Sequence, residues 1–418
     1  MQMIVMFAKK SIMSSLKSWS ALILVLSLTL FGCEKDHEHE EPCNYQTIKV
    51  AALLSKTGEW STLGITSEAA LQIGVDEINH DFENRGLPYR FELSVFDTQL
   101  IPSVALDKMN YLASIGFRLV IGPQSSSEMA AVKSIADSLG ILVVSQGSTA
   151  SSLSIVNDAL FRYVPGDQIE GAAMANTMIT AGKQALVTLA RNDVGNVGLQ
   201  NSLNTNFSSL GGTVFSAGTY DPLTTDYSAA LAAVKNQIIQ FSTTYSNNQI
   251  AVYLASFDEA VALFNQASGD PVLSSVMWYG GDGFIKNQAL LNDQAAAQFA
   301  FATSFFSPEF GLPSSAQNIW GPIMTNVFNA CGQEADAFTL SAYDALKVMA
   351  RVVEENEGVP ATGSSLFESF MTMSNTHTGA TGAISLNENG DRANGSFNYW
   401  GLAFANGVYS WSLVGQSE

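Results

Sequence analysis

A chain of 418 residues with 47% hydrophobic content is comfortable for two domains with substantial cores, which excludes a disordered chain. Its formal net charge of −19 excludes nucleic acid and anionic lipid head groups as electrostatic partners, because such a surface repels both. Cysteine usage is sparse, at three residues.

The amino end carries Lys9, Lys10 and Lys17, then the apolar run ALILVLSLTLFG from Ala21, then Cys33. A positive n-region followed by an apolar run too short for a bilayer span reads as a secretory signal over 1–32. LFGC at Leu30 to Cys33 resembles the lipobox of bacterial lipoproteins, with Phe31 where a smaller residue is usual. The resemblance implies lipidation of Cys33 and a body tethered in the cell envelope, on the periplasmic face or at the cell surface. Removing the leader takes away three lysines and no acid, so the formal charge moves to about −22. Residues 33–45 hold EKDHEHEEP, read as a solvated acidic tether. His37, Glu38, His39 and Glu40 lack a folded frame, so no metal site is expected there. Cys43 and Cys331 remain, and an exported compartment permits them to pair without requiring it.

The folded region opens with TIKVAALL, Thr47 to Leu54, as a first strand. EAALQIGVDEINHDFENRG has helical spacing as far as Gly86, RFELSVFDTQ from Arg90 is a second strand, and Pro102 to Ile115 a second helix. Then comes LVIGPQSSSEMAAVKSIADSLGILVVSQGSTA, Leu119 to Ala150. LVIG and ILVV are apolar runs of the kind that fill buried parallel strands, and the segment between them is helical from about Ser125 to Gly140. Parallel strands send their following loops, 122–127 and 145–151, to one edge of the sheet, where open α/β folds bind ligands. Hydroxyls, free N–H groups and a helix N-terminus at that edge suit an anion such as a carboxylate. Ser and Gly in these loops are also ordinary turn and cap chemistry.

From Phe161 the pattern restarts. FRYVPGD leads to a helix over 168–181, followed by strand ALVTLA, loop RNDVGN, a helix toward Leu210, strand TVFSAGTY and a helix from Tyr227 to Gln240. Strand IAVYLA, loop SFDEA, a helix toward Ala267, strand VMWYG and loop GDGF follow. Two sets of βα units imply two α/β lobes. Helices over 315–330, 337–355 and 364–373 come next. The stretch from Gly382 to Trp411 alternates in period two, reads as antiparallel strand material, and has its clearest turn signal at Asn387 to Gly390.

Several segments together resemble type I periplasmic binding proteins: IKVAALLSKTGEWSTLG, LVIGPQSSSEMAAV, GILVVSQGSTASSLS, FRYVPGDQIEGAAMA, WYGGDGF, ADAFTLSAYDAL and NENGDRANG. Within that family the likeness is to the branched-chain amino acid binding branch and to the extracellular domains of metabotropic glutamate receptors, over about 46–413. The resemblance implies two doubly wound Rossmann-like lobes joined by three crossing segments. Lobe 1 would be 46–166 plus 304–385, and lobe 2 would be 167–303 plus 386–418. Carried over by position, Ser126, Gly147, Ser148 and Thr149 would grip a ligand carboxylate and Asp282 its ammonium, with Asp167 as a further acid. Asp282 could instead shape a turn and Asp167 cap the following helix. Val194 stands where an aromatic often covers the ligand and Phe257 where tyrosine is common, while Trp60 would supply a lid or pack on lobe 1.

The resemblance thus implies a non-catalytic solute-binding lipoprotein that encloses a small ligand, most often an amino acid, for an ABC permease. A sensor or cell-envelope regulatory protein using the same fold is the alternative. Catalysis is not expected: His37, His39, His80 and His377 lie away from the cleft loops, no GxSxG, HExxH or phosphate loop occurs, and no cofactor is implied.

Overall fold

The computed structural model describes residues 45–417. The signal, Cys33, the acidic tether and Cys43 lie outside them. Among the described residues no helix is long and apolar enough to cross a membrane.

The first βα run comprises β1 (Gln46–Leu54), α1 (Ser61–Asn84), β2 (Tyr89–Asp97), α2 (Pro102–Ser114), β3 (Leu119–Ile121), α3 (Ser126–Leu139), β4 (Leu142–Ser145) and β5 (Leu160–Pro165). The second comprises α4 (Asp167–Thr180), β6 (Ala185–Arg191), α5 (Val194–Ser209), β7 (Thr213–Tyr220), α6 (Ser228–Phe241), β8 (Ile250–Ala255), α7 (Ala260–Ala267) and β9 (Met277–Gly280). It continues through α8 (Gln288–Asn292), α9 (Gln294–Ala302) and β10 (Phe306–Phe310). Then follow α10 (Gln317–Cys331), α11 (Ala337–Glu355), α12 (Gly363–Asn375), the short strands β11 (Thr378–Gly379), β12 (Gly382–Ala383) and β13 (Asp391–Arg392), and the hairpin of β14 (Phe397–Ala405) and β15 (Val408–Gln416).

These strands form two large sheets, ordered β13-β5-β4-β3-β1-β2 and β15-β14-β10-β9-β8-β6-β7. Every pairing within β1 to β5 and within β6 to β9 is parallel. Alternation along β1 sends Ile48, Val50, Ala52 and Leu54 into a core on one face of the first sheet, and Ala51 and Leu53 into a core on the other. The first of these cores is closed by α11, whose Leu346, Val348, Met349, Val352 and Val353 are fully buried in it. That burial is why the helical tail returns to the first sheet.

Sheet membership places the crossings. The chain leaves the first sheet after β5, returns after Phe310, and leaves again after Arg392. The second and third crossings therefore fall later than boundaries at 303 and 385. The first displacement has a clear origin, since FSPEF is a strand buried along its length despite Pro308 and Glu309, two residues that argue against a central strand. The second arises because β13 pairs in parallel with β5 and so belongs to the first sheet. The tail is accordingly not uniformly antiparallel. The antiparallel hairpin is β14 with β15, turned by Asn406 and Gly407 at φ 53° and 81°, the left-handed pair that a tight hairpin turn requires. The turn at 387–390 instead delivers the chain into β13.

Arg162 of β5 and Asp391 of β13 lie opposite each other in that pairing and form a buried two-point ion pair, with Nη2 to Oδ2 at 2.6 Å. Arg162 also donates to the Ala150 carbonyl, and Ser154 Oγ donates to Asp391 at 2.6 Å. Removing one partner strands a buried charge. Arg162→Met should lower the unfolding free energy by about 3–5 kcal/mol, whereas Arg162→Met with Asp391→Leu should recover most of that loss, as read from urea unfolding curves of the three proteins.

Candidate functional site

The loops that follow β1, β3 and β4 in the first lobe face those that follow β6, β8 and β9 in the second. Between them is a cavity lined by Trp60, Ser126, Gly147, Thr149, Phe257 and Asp282, together with Gly195 and Asn196. Its volume is about 10 Å³, room for roughly one water, so the lobes are closed on each other.

On the first-lobe side, α3 begins with a reciprocal cap. Ser125 Oγ accepts from the Glu128 N–H, and the buried Glu128 carboxylate accepts from the Ser125 N–H. This holds Ser126 at the first helical position. Its Oγ accepts from the N–H groups of Thr149 (3.3 Å) and Ala150 (3.2 Å) and lies 3.0 Å from Ser148 Oγ. The loop after β4 is shaped from below by Ser145 Oγ, which accepts from the Gly147 and Ser148 N–H groups. The Thr149 and Ala150 N–H groups are thus gathered on the Ser126 hydroxyl at the N-terminus of α3, a cluster of donors that would suit a carboxylate oxygen standing in the hydroxyl's place.

Trp60 comes from the loop after β1, in a left-handed conformation (φ 58°), with its carbonyl accepting from Gln124 Nε2 at 2.9 Å. The indole stacks on Phe257 of the second lobe at 4.5 Å and 18°, and meets Phe338 edge-on. Gly147 makes this possible, since a Cβ there would stand 2.9 Å from Cη2 of Trp60 and 2.8 Å from the Gln124 carbonyl oxygen. The ring pair closes one side of the cavity. Beside it, Arg191 pairs with Asp193 (2.9 Å) and Glu259 (3.2 Å) and lies over the Phe257 ring. Tyr220 donates to Glu259 at 2.6 Å, and Asn287 Nδ2 to Asp258 at 2.6 Å. Glu59 of the first lobe faces this acid group. Burial and then the Glu259 charge raise its carboxyl above the usual range, while burial and then Glu59 push Asp258 up to about 7.

The opposite wall is acidic. Asp282, in the loop after β9, lines the cavity. Behind it stand Asp167 and Glu170, one turn apart on α4 and both buried. Neither oxygen of either residue has a donor in hydrogen-bonding geometry. Burial pushes Asp167 up to about 7, with the Asp282 charge adding to the rise and the nearby Thr149 hydroxyl opposing it. Burial pushes Asp282 up to about 6, and Glu170, buried and beside Asp282, lies well above the carboxylate range.

Of the residues expected at the site, Trp60, Ser126, Gly147, Thr149, Phe257 and Asp282 meet at the cavity. Ser148, Asp167 and Val194 do not line it. Ser148 is one layer back, its hydroxyl on Ser126. Asp167 is buried behind Asp282 and does not cap α4, whose N-cap is Gly166. Val194 turns its side chain outward, and only its N–H reaches across, to Ser127 Oγ of the first lobe at 3.1 Å. Gly195, Asn196 and Glu170 were not expected. The i to i+3 spacing of Asp167 and Glu170 was a visible signal for a shared helix face. Neither His80 nor His377 lines the cavity, and Cys331, at the end of α10, has no disulfide partner among the described residues.

A carboxyl whose folded-state pKa is raised above the unfolded value of about 3.9 favours the fold when protonated, and this stability is lost as pH rises toward the folded value. For Asp258 that window runs from about 4 to about 7. Asp258→Asn should therefore unfold at a higher temperature than the unsubstituted protein at pH 8 and nearly together with it at pH 4, as measured by calorimetric scans at both pH values.

Residues 66–404 match the family model described as the receptor family ligand binding region. An uncharacterised protein of Methanocaldococcus jannaschii is 26% identical over 95% of this chain and 96% of its own length. Among solved structures, a leucine-binding protein of Thermotoga maritima is similar with a TM-score of 0.69 at 21% identity, covering 88% of this chain and 98% of that one. The branched-chain amino acid transporter substrate-binding protein of Streptococcus pneumoniae, solved with isoleucine, gives 0.67 at 18%, covering 88% and 99%. A solute-binding protein of an R. palustris ABC transporter, solved with benzoate, gives 0.68 at 16%, covering 89% and 96%. The two-lobed α/β architecture is that of type I periplasmic binding proteins.

Proposed function

The chain belongs to the receptor family ligand binding region, and from that premise we propose that it is an extracytoplasmic solute-binding protein that encloses an amino acid between its lobes. The observation that carries this reading is the polarity of the cavity. On the first lobe the start of α3 gathers the Thr149 and Ala150 N–H groups on the Ser126 hydroxyl, and Asp282 lines the cavity from the second lobe. A zwitterion matches both walls at once, its carboxylate on the donors and its ammonium on the acid. A ligand with a carboxylate alone would leave Asp282 and the acids behind it uncompensated. The neighbouring structures hold isoleucine in one case and benzoate in another, and the acidic wall favours the amino acid.

The protein works by closure, without catalysis. The Trp60 and Phe257 ring pair and the Val194 to Ser127 hydrogen bond join the lobes over the site, and water exclusion strengthens each charged contact inside. Lipidation at Cys33 would hold the body in the cell envelope, and an ABC permease would receive the ligand from it.

Calorimetric titration of the purified protein against the common amino acids, with benzoate as a carboxylate control, tests this. One amino acid should bind with micromolar affinity, about −8 kcal/mol, and benzoate should not compete with it. Asp282→Ala should weaken that binding at least a hundredfold, about 2.7 kcal/mol. Binding of benzoate but of no amino acid would overturn the assignment.

A further inference from the structure

Asp167 and Glu170 carry buried carboxyl oxygens without hydrogen-bond partners, Asp282 stands beside them, and among the described residues no ion pair ties any of the three to a cation. The groups facing them come from every neighbouring element. Arg162 of β5 is nearest Asp167, but its guanidinium is held by Asp391 and the Ala150 carbonyl. Tyr253 of β8 turns a fully buried hydroxyl without a partner toward the acids, and Tyr399 of β14 faces Glu170 with its hydroxyl 2.7 Å from Thr177 Oγ1. Asp336, the N-cap of α11, adds another negative charge near Asp282, and Lys286 beyond it is bound to Glu309 at 2.9 Å. The trio does not form a metal-binding group. What remains to balance it is the proton. Glu170, whose two carboxyl oxygens are buried without a donor, lies beside Asp282, and two carboxyl groups share a hydrogen bond only when one of them is protonated.

We propose that Asp167, Glu170 and Asp282 act as one proton-holding unit, and that a ligand ammonium enters the cleft in exchange for one of its protons. The inference rests on the amino acid reading above and adds the regulation of that site. In the exchange, the O–H bond at the Glu170 and Asp282 contact breaks, the proton passes to solvent, and the ammonium takes up the charge it leaves. Capture is then weakest in acid. It strengthens about tenfold per pH unit over the range in which one proton is released per ligand bound. Glu170 acts as a positioning residue, since it reaches the ammonium only through Asp282.

The test is calorimetry of the full-length protein with glycine, leucine and lysine in turn, each at one pH in phosphate and in Tris, two buffers with different heats of ionisation. The expected result is a heat that differs between buffers by the equivalent of about one proton per amino acid, and an affinity that rises with pH. Glu170→Gln should still bind the amino acid with nearly buffer-independent heat and a flatter pH profile. Infrared difference spectra of the ligand-free proteins at neutral pH, unsubstituted minus Glu170→Gln, should show one protonated carboxyl band beyond that of Asp258, which both proteins retain. Binding with buffer-independent heat in the unsubstituted protein, or absence of the band, would overturn the exchange and leave the amino acid reading standing. If no common amino acid binds in either titration, the amino acid reading falls and the exchange falls with it.

Discussion

Strand direction is the constraint on which the site depends. All strands from β1 to β5 run one way and all from β6 to β9 run one way, so each sheet sends its carboxyl-end loops to a single edge. Facing those edges across the crossings brings six loops to one point. No residue at the cavity is close in sequence to more than a few of the others, yet Trp60, Ser126, Thr149, Phe257 and Asp282 converge. The chemistry is therefore assembled by topology, and each loop contributes only one or two groups.

The two edges are electrically unlike. The first lobe offers hydroxyls, N–H groups and the start of α3, while the second offers acids that no nearby cation answers. Burial of such acids is unfavourable for the folded state unless they hold protons or meet a positive charge. A similar imbalance exists beside the ring pair, where Glu59, Glu259 and Asp193 share Arg191. Closure brings Glu59 of one lobe against Glu259 of the other, so it is opposed by like charge and favoured by the Trp60 and Phe257 stacking.

Much of this was legible before any coordinates. The unit β3, α3 and β4 was written in two apolar runs flanking a capped helix, and α11 announced itself by its spacing. The strand β10 was not legible, because Pro308 and Glu309 interrupt the apolar run and only its place between β9 and β14 makes it a strand. The parallel pairing of β13 with β5 could not be read either, since two residues carry no periodicity and the pairing is stabilised by Arg162 on a distant segment. At the site, sequence identified the loops better than the depth of each residue within them. Ser148 and Asp167 belong to the right loops but stand one layer behind the cavity, and Val194 faces away. Glu170 looked like an ordinary acid in the first turn of a helix. The packing of α4 on α5 and in the core that holds Tyr253 of β8 removes it from water.

The three crossings lie side by side rather than apart. Asp391 and Arg392 pair with β5 just before the first crossing and at the third, and β10 pairs with β14 across the second and third. Strands bonded edge to edge resist sliding along one another, yet together they yield to a common bend. A strip of this kind would act as a leaf spring, favouring a single swing of the lobes over twist or lateral drift. Each return swing would then bring Trp60 back over Phe257 and Ser127 back under Val194 in the same register, so groups carried on different lobes would meet in one fixed arrangement.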